Sequence, residues 1–361
     1  MSNLNKEFRD PAKVEALLGK IQEFGSKPIT LMEVCGTHTM SIFRYGIKSI
    51  LPPNIRLLSG PGCPVCVTPR SAIDEAIEAA KRPNTVLAAF GDMVRVPGSQ
   101  TSLAEARADG IDLRVVYSPL DAVDLAAENP DREIVFLAIG FETTAPTIAA
   151  SVLIARKRDL KNFSIIGNNK TMPGALRALL TSPDLKVDGL ICPGHVSTII
   201  GSKPYEFIAS ELGIPAVITG FEPVDILQGI LMLLTQINAE TAQVEIQYSR
   251  GVIPEGNSQA LKIINQVFKP SDDNWRGFGV IPDSGLILRE EYRSFDARSK
   301  FDIKVSAADD DDGCRCGDVL RGVITPLECP MFGKACTPEK PVGACMVSSE
   351  GTCAAYYKYG E

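Results

Sequence analysis

The sequence predicts an α/β protein, with two similar parallel-sheet α/β domains followed by a small cysteine-rich C-terminal module. From residue 28 to about residue 225, short apolar runs alternate with helical patterns, as in folds that cover a parallel sheet with helices. The tripeptide Gly-Phe-Glu follows a predicted strand twice, at 140–142 and at 220–222, which favours two similar domains. Six of the ten cysteines lie in the last 48 residues, a segment too short for a stable core without additional cross-links.

Continuous apolar runs predict strands that are buried on both faces. The eight runs cover residues 29–34, 55–58, 86–90, 113–117, 134–139, 163–166, 189–191 and 216–219. Helical periodicity between them predicts helices at 71–80, 120–127, 146–158, 175–180 and 204–211. Farther along, the pattern predicts a helix at 225–236, a strand at 244–248 and a helix at 258–268.

These elements predict three domains with approximate boundaries, at 1–140, 141–285 and 286–361. Packing of the N-terminal segment against the second domain is an alternative arrangement. The stretch 272–282, rich in glycine and aspartate, predicts a link to the C-terminal module. The acidic run 309–312 predicts a solvated loop.

Composition and charge exclude several classes of protein. Of the 361 residues, 45% are apolar and 22% are charged, which is typical of globular proteins. A net charge of −7 without a basic stripe argues against nucleic acid as a partner. The N-terminus lacks an apolar secretion signal, and the most apolar stretch, at 226–237, is too short to span a membrane. We therefore expect a cytoplasmic protein, whose thiols stay reduced unless they bind metal or cycle catalytically.

Two cysteine–histidine pairs lie where predicted strands end. Cys35 and Cys192 each follow a strand, and His38 and His195, the two histidines of the chain, come three residues later. Ligands bind at the carboxyl ends of strands in open α/β sheets, so each pair is a candidate metal-ligand pair or nucleophile with its base. For one such pair alone, a buried thiol beside a hydrogen-bonded histidine is the simpler interpretation. That both histidines occupy this position favours a function.

The motif Cys63-Pro-Val-Cys66 follows the second strand and precedes Thr68 and Pro69, a favourable start for a helix. Such a pair can form a disulfide or bind a metal, and a helix N-terminus stabilises the reactive thiolate. Half of a zinc site is the alternative, but the chain has no second C-x-x-C to complete it. Two carboxylates at strand ends are further cleft candidates, although solvated side chains are the simpler interpretation: Glu142 and Glu222.

The C-terminal cysteines predict a metal site with thiols to spare. They are Cys314, Cys316, Cys329, Cys336, Cys345 and Cys353. Four thiolates hold an iron–sulfur cluster or a closed zinc site, which leaves two as a redox pair. The spacing is too wide for the bacterial ferredoxin pattern, and paired C-x-x-C zinc knuckles are missing. We favour iron–sulfur over zinc because two surplus thiols suit redox coupling.

Five stretches spread over nearly the whole chain resemble the HypD family of hydrogenase maturation factors. They are EVCGTHT at 33–39, GPGCPVC at 60–66, GFETTAP at 140–146, CPGHVS at 192–197 and GACMVSSEG at 343–351. The resemblance implies a scaffold on which the Fe(CN)2CO unit of [NiFe]-hydrogenase is assembled. It also implies that HypC binds the scaffold and shares the iron, that HypE delivers cyanide, and that the hydrogenase large subunit is reached through HypC.

The resemblance also implies roles for individual cysteines. Cys35 is similar to the family's iron ligand, with His38 beside it, and Cys63 and Cys66 are similar to its redox-active pair. The family's C-terminal cluster is similar to that of ferredoxin–thioredoxin reductase. By that pattern Cys316 forms a disulfide with Cys345, next to a [4Fe–4S] cluster that feeds electrons towards the C-x-x-C pair. The cluster ligands would be Cys314, Cys329, Cys336 and Cys353.

Two other classes of function are compatible with the residues. A disulfide reductase acting on a protein substrate needs the cluster and two thiol pairs but not Cys35, whereas a scaffold needs this additional thiol. A zinc-stabilised interaction module would be colourless, unlike an iron–sulfur protein.

Overall fold

The computed structural model describes residues 4–305 and 313–360 and confirms the predicted α/β fold. The acidic run 309–312, predicted to be a solvated loop, lies outside these residues. Each strand predicted between residues 29 and 219 is present. The strands are β1 (Ile29–Glu33), β2 (Ile55–Ser59), β3 (Thr85–Phe90), β4 (Asp112–Val116), β5 (Glu133–Gly140), β6 (Phe163–Lys170), β7 (Gly189–Cys192), β8 (Ala216–Ile218), β9 (Val244–Ile246), β10 (Phe268–Trp275) and β11 (Gly279–Leu288).

The strands form two sheets. The first sheet is parallel throughout and has the order β2-β1-β7-β8-β9. The second sheet has the order β10-β11-β6-β5-β3-β4, in which β3 to β6 are parallel and β10 and β11 form an antiparallel hairpin beside β6. Because the strands of each parallel set point the same way, the loops after their carboxyl ends gather at one edge.

Strand pairing divides the chain differently from the predicted domain boundary at residue 140. β5 and β6, on either side of that boundary, pair over seven residues in the second sheet. The first sheet combines β1 and β2 from the start of the chain with β7, β8 and β9 from beyond residue 188. Apolar periodicity identifies strands but carries no information on their partners, so it left packing of the N-terminal segment with the second domain as an alternative only.

The stretch 272–282 is a hairpin in the second sheet and not the predicted link to the C-terminal module. Trp275 and Ile281 are buried, while the neighbouring Val280 is exposed, so one face packs and the other meets solvent. The turn uses Gly277 and Gly279, whose φ angles of 78° and 75° suit glycine. The solvent-facing residues of this edge hairpin are polar, so it lacks the continuous apolar run by which the other strands were predicted.

Helices cover both sheets. The α-helices are α1 (Leu4–Glu7), α2 (Pro11–Gln22), α3 (Gly36–Arg44), α4 (Ile47–Ile50), α5 (Pro64–Val67), α6 (Arg70–Ala80), α7 (Leu103–Ala108), α8 (Pro119–Glu128), α9 (Ala145–Lys157), α10 (Met172–Leu180), α11 (Gly194–Ile200), α12 (Glu206–Ser210), α13 (Pro223–Asn238), α14 (Ser258–Val267), α15 (Ala297–Phe301), α16 (Cys316–Leu320) and α17 (Thr352–Tyr359). Short 3-10 helices lie at Gly91–Met93, Lys203–Tyr205, Glu290–Phe295, Pro326–Glu328 and Ala344–Met346. In the described part of the chain, none of them combines the length and the apolar content needed to cross a membrane.

The cysteine-rich tail packs against the body of the protein. One continuous hydrophobic core contains side chains of both sheets together with Cys316, Cys345 and Cys353. Helix α17 lies along α3, where the rings of Phe43 and Tyr356 are 4.5 Å apart. The tail therefore shares its apolar interior with the sheets, which compensates for its small size.

Candidate metal and thiol site

Cys35 follows β1 and is the N-cap residue of α3. Its own N–H donates to Glu33 Oε2 at 3.0 Å, and its thiol lies beside the first turn of α3, at Thr37 and His38. Burial raises the pKa of the Cys35 thiol to about 12, and the carboxylates of Glu350 and Glu33 add to this shift. The thiol is thus protonated until a positive charge arrives, while the helix N-terminus offers donors to a thiolate.

A cleft of about 410 Å³ lies in front of Cys35, within the size range of small-ligand sites. Three parts of the molecule line it. Cys35, Thr37 and His195 come from loops of the first sheet, Thr143 comes from the second sheet, and Glu350 comes from the tail. The cleft therefore forms where the two sheets and the tail meet, at the carboxyl ends of the strands. The sequence predicted that ligand-binding residues would lie in the loops at these strand ends.

Two helices begin at this cleft. α3 starts directly after Cys35, and α9 starts after Thr144, which also lines the cleft. Their first N–H groups and their macrodipoles favour negative charge at this position. The cleft is therefore suited to an anionic ligand next to the Cys35 thiol.

His38 does not line this cleft among the described residues. Its fully buried ring donates from Nε2 to the carbonyl oxygen of Gly220 at 2.9 Å and contacts the hydroxyl of Thr219 at 2.8 Å. Burial lowers its pKa to about 4, so the ring is neutral. These bonds tie α3 to the end of β8, which is the geometry of a positioning histidine.

His195 is the exposed histidine of the cleft. Its ring stacks on Phe221 with 3.9 Å between centroids, and Phe221 in turn contacts the ring of His38 at 4.8 Å. Nδ1 lies 3.5 Å from the Thr37 hydroxyl. Of the two predicted histidines, His195 is therefore the one whose ring is accessible to a ligand in front of Cys35.

The remaining predicted cleft residues lie in other surroundings. Cys192 is fully buried in the core, and burial raises the pKa of its thiol. Glu222 caps α13 and forms an ion pair with Arg9. Glu142 is buried and accepts a hydrogen bond from Met172 N at 2.9 Å, and burial raises its pKa to about 7. Packing and capping account for the contacts of these three side chains.

Cys63 and Cys66 lie at a short helix of their own. Cys63 is the N-cap of α5, and the two Sγ atoms are 2.6 Å apart. The next helix, α6, begins at Arg70 with Pro69 as its N-cap, one residue later than predicted. The C-x-x-C spacing thus brings the thiols together on one turn, close enough to form a disulfide.

Cys345 connects this pair to the tail. Its pKa is lowered by side-chain hydrogen bonds from Cys316, Cys353 and Cys66. Cys345 also belongs to a group within the tail, because the Sγ atoms of Cys316, Cys345 and Cys353 all lie within 4.8 Å of one another. The sequence predicted both thiol groups, but their direct contact through Cys66 and Cys345 appears only in the folded chain.

The tail cysteines also surround a small cavity with the chemistry of a soft-metal site. Its lining includes Met331, Phe332 and Met346 together with five thiols: Cys314, Cys316, Cys329, Cys336 and Cys353. The four predicted cluster ligands are all in this set, so the donor set fits an iron–sulfur cluster. One group of three thiols nevertheless crosses the predicted partition, because Cys353 lies together with the predicted redox pair, Cys316 and Cys345.

Glu350 and Thr37 were not predicted as site residues. Thr37 Oγ1 donates to Glu350 Oε1 at 2.6 Å, beside Cys35. Both belong to stretches that resemble family motifs, at 33–39 and 343–351. The resemblance therefore indicated the two segments, but it did not identify these side chains as site residues. Their meeting joins residues more than 300 positions apart, which no local pattern predicts.

Comparison with known proteins identifies relatives that match this chain over nearly its whole length. The family model described as HypD, hydrogenase formation hypA family, matches residues 12–360. The chain is 49% identical to the hydrogenase maturation factor HypD of Rhodobacter capsulatus, over 98% of this chain and 97% of that protein. It is 46% identical to HypD of Escherichia coli, with coverage of 98% and 97%, and 43% identical to HypD of Cupriavidus necator, with coverage of 98% and 96%.

Proposed function

Since this chain belongs to the HypD family of hydrogenase maturation factors, we propose that it is the scaffold on which the Fe(CN)2CO unit of [NiFe]-hydrogenase is assembled. The observation that carries this proposal is the position of Cys35, at the N-terminus of α3 and in a cleft shared by both sheets and the tail. Low-spin iron with cyanide and carbon monoxide prefers a soft thiolate ligand.

Iron enters this cleft as the substrate of the assembly. Binding requires Cys35 to lose its proton, and the arriving cation supplies the charge that favours the thiolate. The N–H groups of Thr37 and His38 then stabilise the sulfur. Cyanide ligands carry negative charge, which the N-termini of α3 and α9 favour.

Two protein partners complete the proposed reaction in the cytoplasm. HypC binds next to the cleft, shares the iron with Cys35 and carries the finished unit to the hydrogenase large subunit. HypE delivers the cyano group on sulfur. His195 and Thr143, which are exposed at the cleft, offer a hydrogen-bond donor and acceptor to the incoming group.

Cyanide transfer requires electrons, and the thiol chain is the proposed source. Breaking the S–C bond of R–S–CN takes up two electrons and one proton and yields R–SH and cyanide ion. Closing a disulfide between Cys63 and Cys66 supplies two electrons and releases two protons. The contact of Cys66 with Cys345 provides the path by which the pair is reduced again. A [4Fe–4S] cluster held by Cys314, Cys329, Cys336 and Cys353 would supply single electrons.

Burial of the thiols argues against the alternative of a disulfide reductase for protein substrates. Attack on a protein disulfide requires access to a nucleophilic sulfur. Cys63 and Cys66 are only 3% and 0% exposed, and neither belongs to the residues that line the cleft in front of Cys35. These thiols suit exchange within the chain, with Cys35 facing the ligand.

The test is a Cys35→Ala variant purified without oxygen in complex with HypC. We expect it to bind HypC and to keep its C-terminal iron, because neither depends on this side chain. It should lack the infrared bands of iron-bound cyanide and carbon monoxide. Bands of normal intensity in the Cys35→Ala complex would exclude Cys35 as the iron ligand, and Cys192→Ala serves as the control that keeps them.

A further inference from the structure

We propose that Glu350 is a positioning residue that couples the cysteine-rich tail to the reactivity of Cys35. This inference builds on the proposed function, since it concerns the same thiol. Thr37 Oγ1 donates to Glu350 Oε1 at 2.6 Å, and Cys35, Thr37 and Glu350 all line the same cleft. A side chain of the tail is therefore bonded to the first turn of the helix that Cys35 caps.

Gly36 makes this approach possible. A Cβ atom at Gly36 would lie 2.5 Å from Glu350 Cβ and 2.8 Å from the Glu350 carbonyl oxygen. Real Cβ atoms do not approach other atoms this closely, so only glycine lets the tail reach the turn after Cys35. The contact therefore involves the backbone of both segments, the turn after Cys35 and the tail at Glu350.

The sulfur group of the tail holds Glu350 in place. Glu350 lies between Cys345 and Cys353, whose Sγ atoms cluster with that of Cys316. The turn that carries Glu350 is closed by the hydrogen bond from Gly351 N to the Ser348 carbonyl oxygen at 2.9 Å. Loss or rearrangement of the sulfur group therefore moves both ends of the segment that presents this carboxylate.

A second contact links α3 to the tail. Tyr356 of α17 packs on Phe43, and its hydroxyl accepts a hydrogen bond from Lys48 Nζ at 2.9 Å. The tail thus contacts α3 at its first turn and near its end. A shift of the tail is transmitted to the helix N-terminus that carries Cys35 and not only to a surface loop.

The position of Glu350 gives the coupling its sign. Glu350 and Cys35 line the same cleft, so this side chain occupies part of the wall beside the thiol. Departure of Glu350 opens that side of the cleft. A reagent then reaches Cys35 more easily, so Cys35 becomes more reactive when the tail loses its sulfur group.

The experiment measures the rate at which iodoacetamide modifies Cys35, followed by peptide-resolved mass spectrometry under anaerobic conditions. In the wild-type background, Cys329→Ser should lose the metal of the tail and speed Cys35 modification about fivefold, the lower range of couplings between sites. Glu350→Ala should speed modification to a similar extent. Cys329→Ser added to Glu350→Ala should bring no further increase, because the coupling residue is already missing.

Matched variants separate positioning from general destabilisation. Glu339→Gln, at an exposed glutamate of the tail, should leave the rate unchanged. Thr37→Val should resemble Glu350→Ala, while Thr37→Ser should restore the wild-type rate because it keeps the hydroxyl. The proposal is overturned by a wild-type rate in Glu350→Ala, or by a full fivefold effect of Cys329→Ser in that background. The labelling needs no iron on Cys35, so it stands apart from the infrared test of the scaffold.

Discussion

At the scale of single residues, the environment of each predicted side chain decides its chemistry. Cys35 and Cys192 look alike in sequence, since each precedes a histidine by three positions. Cys35 lies at a cleft and at a helix N-terminus, whereas Cys192 is fully buried in the core. His38 and His195 differ in the same way, because one ring is buried and the other reaches the cleft. Motif spacing placed all four at strand ends but did not distinguish the pair that lines the cleft, Cys35 and His195.

Glu142 provides a test of buried charge at this scale. Its folded pKa of about 7 lies above that of an unfolded glutamate, so the folded state binds a proton more tightly between about pH 4.5 and pH 7. Wild-type stability therefore loses up to about 3 kcal/mol from this group as pH rises through that window. Glu142→Gln cannot ionise and keeps an oxygen for the Met172 N–H.

Urea unfolding at several pH values checks this expectation. The stability of Glu142→Gln relative to wild type should rise from pH 4.5 to about pH 7 and level off above it. A difference that is constant over this range would show that Glu142 does not titrate in the folded state near neutral pH. Glu128→Gln, at an exposed glutamate of α8, is the control and should show no such trend.

At the scale of elements, helix starts organise the thiols. α3, α5 and α16 each begin at or next to a cysteine, namely Cys35, Cys63 and Cys316. Polar N–H groups at a helix start stabilise a thiolate, and the short C-x-x-C turn holds its two sulfurs together. The helix that the sequence predicted after Thr68 exists, but the cysteines begin a separate turn before it.

Oxidation of the C-x-x-C pair should show which thiols lie within disulfide-bonding distance of Cys66. With its partner at 2.6 Å, Cys66 should form a reversible disulfide with Cys63 in the wild-type protein. In Cys63→Ser, the contact with Cys345 should redirect Cys66 to a Cys66–Cys345 disulfide. Peptide mapping under non-reducing conditions distinguishes the two products.

Failure to find the Cys66–Cys345 product in oxidised Cys63→Ser would remove the proposed path from the tail to the C-x-x-C pair. Cys192→Ala is a suitable control, because that thiol lies apart in the core and should not alter either product. Mild reduction should restore all thiols without loss of fold.

The strands show which elements the local sequence pattern can predict. Parallel strands such as β5, with seven of its eight residues buried, appear in the sequence as uninterrupted apolar runs. The β10–β11 hairpin was missed because exposed positions carry residues such as Lys269 and Asp272, which are typical of loops. A one-sided edge hairpin gives a weaker signal than a strand covered on both faces.

At the scale of the whole molecule, the tail is a structural part of the body. Its thiols belong to the same hydrophobic core as the two sheets, and α17 rests on α3. A metal held by these thiols would add to the stability of so small a segment. Loss of the metal should therefore weaken the tail first and expose the face of α3 that it covers.

Anaerobically purified protein should be brown and contain about four irons and four acid-labile sulfides per chain. Cys329→Ala and Cys336→Ala should lose both and become sensitive to limited proteolysis within the tail. Cys192→Ala should keep both. Stoichiometric zinc without acid-labile sulfide would contradict an iron–sulfur cluster and favour a zinc module.

The sequence by itself determined the α/β class, the strands of both parallel sets and the cysteines of the candidate site. These features are local, because apolar runs and motif spacing are read within a few residues. Only the tertiary structure decided that the chain crosses between sheets, that Cys66 meets Cys345 and that Glu350 reaches Thr37. These contacts join segments that lie far apart along the chain. They depend on how whole elements pack, and no short stretch of sequence encodes that packing.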